Sequence, residues 1–390
     1  MTTETIKLYD NDAYETSFTA TVLSCEEVKK KDGTLWQVCL DQTLFFPEEG
    51  GQSADLGVLG SAQVLDVQIK NNVITHTLNQ PLASGSSVTG QIDWEHRFYN
   101  MQQHTGEHIF SGLVQKHFGF DNVGFHLSDQ IVTMDFNGPL TWADAEQLEW
   151  EVNTCIVSNI PVEVTFPDKA VLSGMEYRSK IEIDGQVRIV TIPGYDVCAC
   201  CAPHVHRTGE IGILKVQSCQ KYKSGVRISI LCGFRALEDY RCKQKNVIEI
   251  STSLSARQET ISDSVARLKS ELAQAKLQLG AANMQLMQKK IADIPATLAQ
   301  VCLFEENIDT DLMRFTVNEL VKNHPGYCAV FAGSDADGYR YIIGSATRDT
   351  REIGSFLRER FQAKGGGKAE MIQGSLTAPA EKIQELFAEV

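Results

Sequence analysis

The alternation of hydrophobic and polar positions divides the chain into four stretches. Over residues 1–92, the runs 17–25, 35–40, 62–69 and 72–78 are rich in Val, Ile, Thr and aromatics, with turn residues between them. Runs of that kind read as half-buried strands, and this stretch predicts a small barrel or a strongly bent sheet. Residues 94–118 place Phe98, Met101, Ile109 and Leu113 at helical spacing, with Asp93 as an acidic start and no internal Pro. A strand follows at 131–136, then a helix over 141–159 with Thr141 as its cap and Pro161 beyond its end. Further strands are predicted at 161–166, 186–192, 210–218 and 226–233, so that 93–233 reads as an α+β domain.

From about Leu237 the period changes. Val247, Ile250, Leu254, Ile261, Val265, Leu268, Leu272, Ala275, Leu279, Ala282 and Leu286 follow alternating steps of three and four, and Arg257 fills the one missing step without loss of phase. This is a heptad seam, and it predicts a long helical connector over 234–294, coiled-coil-like. One helix cannot bury such a seam alone. Its partner is either a second copy, giving a homodimer through 237–290 and the C-terminal domain, or the same domain folded back near 255–264. After Pro295 the pattern reads as α/β: strands at 301–306, 327–334 and 339–346, and helices at 310–323, 350–361 and 379–389.

At 390 residues and 43% hydrophobic, the chain is long enough for two or three domains of a soluble protein. No run approaches the length of a membrane span, and the N-terminus lacks the basic and apolar regions of a secretory signal. Scattered cysteines without an export signal fit reduced thiols, and the expected location is cytoplasmic. A net charge of −14 argues against unspecific attraction to nucleic acid. The one clearly basic stretch lies near the C-terminus, where Arg358, Arg360, Lys364 and Lys368 surround Gly365, Gly366 and Gly367. Backbone N–H groups of such a run can meet phosphates, although the spacing is not that of a P-loop. The alternative is a flexible surface loop.

Two short motifs carry the chemistry. HTGEH at 104–108 puts His104 and His108 one turn apart on one helix face, and CCAPH at 200–204 repeats the spacing with Cys200 and His204. Three imidazoles and a thiolate suit one Zn²⁺ per chain. Cys198 and Cys201 stand close enough in sequence to be alternative ligands. Upstream, Gly50-Gly51-Gln52 offers a positive-φ turn followed by an amide that both donates and accepts, or else a plain turn between strands. Thr105 and His126 are further polar groups near the predicted site, and Glu107 stands between the two histidines. H-x-x-E-H is also a metallopeptidase signature, which would need a further carboxylate such as Glu176 or Glu182.

HTGEH, CCAPH and the preceding FFPEEGGQSADLG together resemble the editing domain of alanyl-tRNA synthetase and its free-standing AlaX relatives. The last ninety residues or so, with RERFQAKGGGKAEMIQGS, resemble the DHH-associated C-terminal domain of those synthetases. The resemblance covers the chain as the long form, AlaX-L. It implies domains at 1–92, 93–233, 234–294 and 295–390. It also implies zinc on His104, His108, Cys200 and His204, and an aminoacyl site beside Gly50, Gly51 and Gln52. Thr105 and His126 are expected near the substrate, and Gln52 and Glu107 are the candidate catalytic groups. Arg358, Arg360, Lys364, Lys368 and Gly365 to Gly367 are expected to hold tRNA. The activity implied is deacylation of mischarged tRNA(Ala), carrying serine or glycine, without aminoacylation. The usual second motif, C-G-G-T-H, is here Cys200-Cys201-Ala202-Pro203-His204, without the Thr. Besides the metallopeptidase, a non-catalytic, zinc-stabilised tRNA-binding protein remains as an alternative.

Overall fold

The computed structural model describes residues 4–30, 33–128, 131–179 and 186–390. By its contacts the chain forms two compact units, Met1–Ile248 and Glu249–Val390.

The first unit begins with β1 (Ile6–Lys7), which pairs in parallel with β4 (Gln42–Thr43). Six strands close a barrel: β2 (Ser17–Lys30), β3 (Gly33–Leu40), β5 (Gly57–Leu59), β6 (Ala62–Lys70), β7 (Val73–Leu78) and β8 (Ser87–Ile92). Alternate residues such as Val22, Val38, Val67 and Ile74 fill its interior, as period-two patterning requires. Two of the barrel strands, β5 and β8, carry too few apolar residues to stand out in the sequence.

Helix α1 (Trp94–Phe118) is capped by the Asp93 carboxylate, which accepts from the His96 N–H. Its apolar side packs with α2 (Trp142–Ser158) and with the antiparallel sheet of β9 (Asn122–Leu127), β10 (Val132–Phe136), β14 (Leu214–Tyr222) and β15 (Gly225–Cys232). Thr141 and Asp144 form a capping box at the start of α2, and Asn159, at φ 50°, ends the helix before Pro161 is reached. A second antiparallel sheet joins β11 (Glu163–Thr165), β12 (Ile189–Ile192) and β13 (Asp196–Ala199), with the short helix α3 (Lys169–Leu172) between β11 and β12.

The barrel and the α+β layer interlock rather than meeting at a linker. Arg97 on α1 and Asp55 in the loop before β5 are both fully buried and paired, with two guanidinium–carboxylate bonds at 3.0 Å. Arg97 also donates to the Ala13 and Leu44 carbonyls. An isolated buried charge would be very costly; this pair instead fixes the 44–55 loop against α1.

The expected unbroken connector is two helices. α4 (Gly233–Ser253) ends where Ser255 turns to φ 49°, and α5 (Ile261–Ala292) begins after a 3₁₀ turn. The cause is local: the Ser251 hydroxyl donates to the Ala256 carbonyl, and the Ala256 N–H returns to the Ser251 carbonyl. Ser and Thr side chains compete in this way with helical hydrogen bonds, and 251–255 holds four of them. Heptad phase does not register such competition.

In the second unit, β16 (Val301–Glu305), β17 (Cys328–Ser334), β18 (Gly338–Gly344), β20 (Met371–Leu376) and β19 (Lys364–Gly367) form one sheet in the order β16-β17-β18-β20-β19. Only β16 and β17 are parallel, so the sheet is mainly antiparallel. α6 (Thr310–Asn323), α7 (Thr350–Phe361) and α8 (Ala380–Glu389) complete the unit. The glycine run is therefore an edge strand and not a loop. Gly365 and Gly367 lie so close to β20 that a Cβ on either would meet a backbone carbonyl oxygen at 2.3 Å.

Candidate metal centre

Two elements bring the four donors together. α1 supplies His104 and His108 one turn apart. The loop leaving β13 supplies Cys200 and His204. The approach of β13 to α1 depends on Gly112, one turn after His108: a Cβ there would meet the Tyr195 carbonyl oxygen at 2.3 Å. All the donor atoms of His104, His108, Cys200 and His204 lie within 4.8 Å of one another. The Cys200 Sγ stands 3.6 Å from His104 Nε2 and 3.4 Å from His204 Nε2. A tetrahedral ion about 2.3 Å from sulfur and about 2.0–2.1 Å from nitrogen sets an S···N edge of about 3.5 Å. The donor set and its spacing therefore fit a four-coordinate ion such as Zn²⁺.

The other nitrogen of each imidazole is held. His104 Nδ1 is 2.7 Å from Gln52 Oε1, His108 Nδ1 is 2.9 Å from Asp196 Oδ2, and His204 Nδ1 is 3.0 Å from Thr105 Oγ1. The Gln52 and Asp196 oxygens can only accept, so they favour a proton on Nδ1 of His104 and His108 and leave Nε2 for the common centre, while the Thr105 hydroxyl holds the His204 ring in place. Asp196 is in turn held by Arg178, whose Nε and Nη2 donate to its two oxygens at 2.7 and 2.9 Å.

The four donors are also linked electrostatically. Burial pushes His204 down to about 3, so its imidazole is neutral. Burial alone would raise the Cys200 thiol, but the charges and hydrogen bonds of His104 and His108 outweigh it and hold the thiol well below its ordinary value. Burial acts unopposed enough at Cys198 to push it up to about 11, and it raises Cys201 as well. Cys200 is thus the thiolate of the three. Cys198 instead groups with His108 and Asp196, and Cys201 lies beside Gly50.

Gly50 and Gly51, at φ 63° and 85°, make a tight turn closed by paired backbone bonds between Glu49 and Gln52. Both central residues at positive φ is the turn that glycine permits best. A Cβ on Gly51 would meet the Phe125 carbonyl oxygen at 2.4 Å. The turn thereby seats Gln52, fully buried, against His104.

A cavity of about 670 Å³ opens beside the donors, lined among others by Glu107, Phe125, Arg178 and Arg188. Glu107 is 1% exposed; its Oε1 accepts from Ser111 and Asn122, while Oε2 is 3.9 Å from His108 Nε2. Thr105 is buried against His204, behind the cluster. His126 is not brought to the site. It alternates on β9 with Phe125, so Phe125 meets the His104 ring at 4.8 Å while His126 faces solvent. Of the carboxylates a metallopeptidase would need, Glu176 stands outside the four-donor cluster and Glu182 lies outside the described residues.

Sequence reasoning missed Asp196, Arg178 and Phe125. Asp196 carried a signal, since a carboxylate near a ligand motif is the usual partner of a metal-bound imidazole. Arg178 carried none. In the second unit, Lys364 and Gly365 to Gly367 are exposed on the edge strand, Arg360 pairs with Glu389 at 2.6 Å, and Arg358 donates to Ser355.

Two family models match the chain: tRNA synthetases class II (A) over residues 1–96, and the threonyl and alanyl tRNA synthetase second additional domain over 187–228. Alanyl-tRNA editing protein Aarsd1 of Rattus norvegicus is 26% identical over 398 residues, covering 97% of this chain and 95% of the relative. Alanyl-tRNA editing protein AlaX-L of Pyrococcus horikoshii is 34% identical over 241 residues, 59% of each protein. The alanine–tRNA ligase of Ignicoccus hospitalis is 28% identical over 402 residues, and there the chain spans 43% of the relative's length. A solved C-Ala domain from Aquifex aeolicus alanyl-tRNA synthetase, at TM-score 0.21 and 19% identity over 24% of this chain and 86% of that one, is too distant to carry an argument. The chain is thus similar to the AlaX-type alanyl-tRNA editing proteins, over nearly its whole length to one of them, and the second additional domain model matches the stretch that holds the CCAPH loop.

Proposed function

We propose that the protein deacylates mischarged tRNA(Ala), Ser-tRNA(Ala) and Gly-tRNA(Ala), at a site that holds one Zn²⁺ on His104, His108, Cys200 and His204. The observation that carries this reading is the 2.7 Å contact of Gln52 with His104. It joins the turn that resembles the editing loop to the donor cluster, and Gly50, Gly51 and His104 line one cavity. The relatives named as alanyl-tRNA editing proteins support the same activity. A pocket built for alanine rejects glycine or an added hydroxyl by only about a hundredfold, so a second, hydrolytic sieve is needed.

Four protein donors fill a tetrahedral shell, so the chemistry a bound ion supplies is a local positive field and the fixing of those side chains. Gln52 orients His104. Glu107 is the base assigned to the attacking water: Ser111 and Asn122 fix one oxygen, and the other lies toward the cavity side of His108. Water adds to the ester carbonyl, Glu107 takes its proton, and the proton passes to the departing 3′ or 2′ oxygen of the tRNA. In the second unit, Arg358, Arg360, Lys364, Lys368 and the backbone of Gly365 to Gly367 are assigned to tRNA phosphates, and α5 to a homodimer contact.

The test is to incubate the metal-loaded protein with Ser-, Gly- and Ala-tRNA(Ala). Release of serine or glycine, with Ala-tRNA(Ala) spared, is expected. Deacylation of none of them would overturn the reading. Replacement of Glu107 by Gln is predicted to lower the rate by about 10²–10⁴-fold at unchanged metal content.

A further inference from the structure

The cavity beside the metal donors has a second wall, formed by Lys7, Tyr9, Asp10, Glu49, Arg188 and Cys201. Three polar atoms of this wall are buried without a hydrogen-bond partner among the described residues: the Tyr9 hydroxyl, Glu49 Oε2 and Arg188 Nε. Tyr9 is only 2% exposed. Unsatisfied buried polar atoms are few in native proteins and cost free energy unless something satisfies them. Three on one cavity wall mark a place built for a ligand.

The charges say what kind of ligand. Arg178 is committed to Asp196 through two hydrogen bonds. Arg188 donates to the Cys200 and Ala202 carbonyls and lies 3.7 Å from Asp10. Glu107 is held by Ser111 and Asn122. Lys7 acts with Arg188 on Asp10, whereas Glu49 forms no ion pair among the described residues, and the Cys201 thiol lies beside it. The wall thus presents a carboxylate that lacks its positive charge. Its place is set by the Gly50-Gly51 turn, whose far end is Gln52 on His104. One two-glycine turn therefore fixes both a group that orients a metal donor and an unpaired carboxylate.

An aminoacyl ester carries one cation, its α-ammonium, one carbon from the carbonyl that reacts. The rest of a tRNA 3′ end is neutral or anionic. We infer that Glu49, with the Tyr9 hydroxyl beside it, is the counter-charge for the α-ammonium of the aminoacyl group. This inference rests on the deacylase reading above. It makes the site selective for a free amino group: an N-acylated aminoacyl ester offers no charge, and its bulk enters the wall.

The test uses a non-hydrolysable ligand, 3′-deoxy-3′-(L-seryl)aminoadenosine, and its N-acetyl derivative, titrated calorimetrically into the metal-loaded full-length protein. A charge-assisted hydrogen bond corresponds to about a 10- to 100-fold preference. Wild type is expected to prefer the free amine by that factor. E49Q is expected to lose the preference by weakening free-amine binding alone, with metal content and melting temperature unchanged, and E49D to keep part of it. Equal binding of the two ligands by wild type, binding of neither, or a preference retained in E49Q would overturn the assignment. Deacylation of Ser-tRNA(Ala) by wild type, measured alongside, reports on the deacylase reading separately.

Discussion

At the scale of single residues, the site depends on groups that never touch the metal. Asp196 holds His108 at 2.9 Å, and Arg178 holds Asp196. Loss of such a partner typically lowers metal affinity by about 10- to 100-fold. The D196N and R178M proteins should each show a drop of that size in competition with a chromophoric chelator, and unchanged affinity would deny the positioning role. Asp196 also predicts a pH dependence. Burial alone would raise its carboxyl, but hydrogen bonds from His108 and Arg178 win and depress it. A carboxyl depressed in the folded state contributes stability above its unfolded value of about 3.9 and loses it as pH falls through the folded value. D196N should therefore be less stable than wild type near neutrality in urea unfolding, and the gap should close in acid, below about pH 4. The ligands themselves were legible because their spacing is local: four residues along a helix, four along a loop. Arg178 was not. It reaches Asp196 across a sheet bridge between Arg178 and Cys198 that no periodicity announces.

At the scale of elements, patterning found what one face decides and missed what a side-chain hydrogen bond decides. α1 begins at its acidic cap, and the long barrel strands lie where alternation placed them. β19 went unread because glycine carries no pattern, and the connector breaks at 251–255 because seryl oxygens compete for its backbone. The capping box of α2 gives a plain prediction. Thr141→Ala removes the acceptor for the Asp144 N–H and should cost about 1 kcal/mol, read as a shift in the unfolding midpoint at constant slope. The Asp55–Arg97 pair predicts a larger loss. Arg97→Met strands a fully buried carboxylate, and breaking one side of a buried pair costs about 3–5 kcal/mol. A loss under about 1 kcal/mol would mean that the pair does not lock the 44–55 loop to α1.

At the scale of the whole molecule, an apolar row on the acidic chain stands open to solvent. Along α5, Leu268, Leu272, Leu279 and Leu286 stand 50–62% exposed, on the seam that the heptad spacing defines. A helix that shows a leucine row to water loses the burial that makes long helices stable, and contiguous exposed apolar surface marks an interaction site. The break near Ser255 sharpens the assignment, because it shortens the seam to the 32 residues of α5. Four heptads with Ile261, Val265, Leu and Ala along the seam are enough for a two-stranded contact. Sedimentation equilibrium of the intact protein should then show a dimer at micromolar concentration. The double variant L272E/L279E, which sets like charges into the seam, should be monomeric with its metal content intact, since the donors all lie in the first unit. A wild-type protein that sediments as a monomer, or a double variant that still dimerises, would remove α5 as the contact and leave its leucine row to another partner.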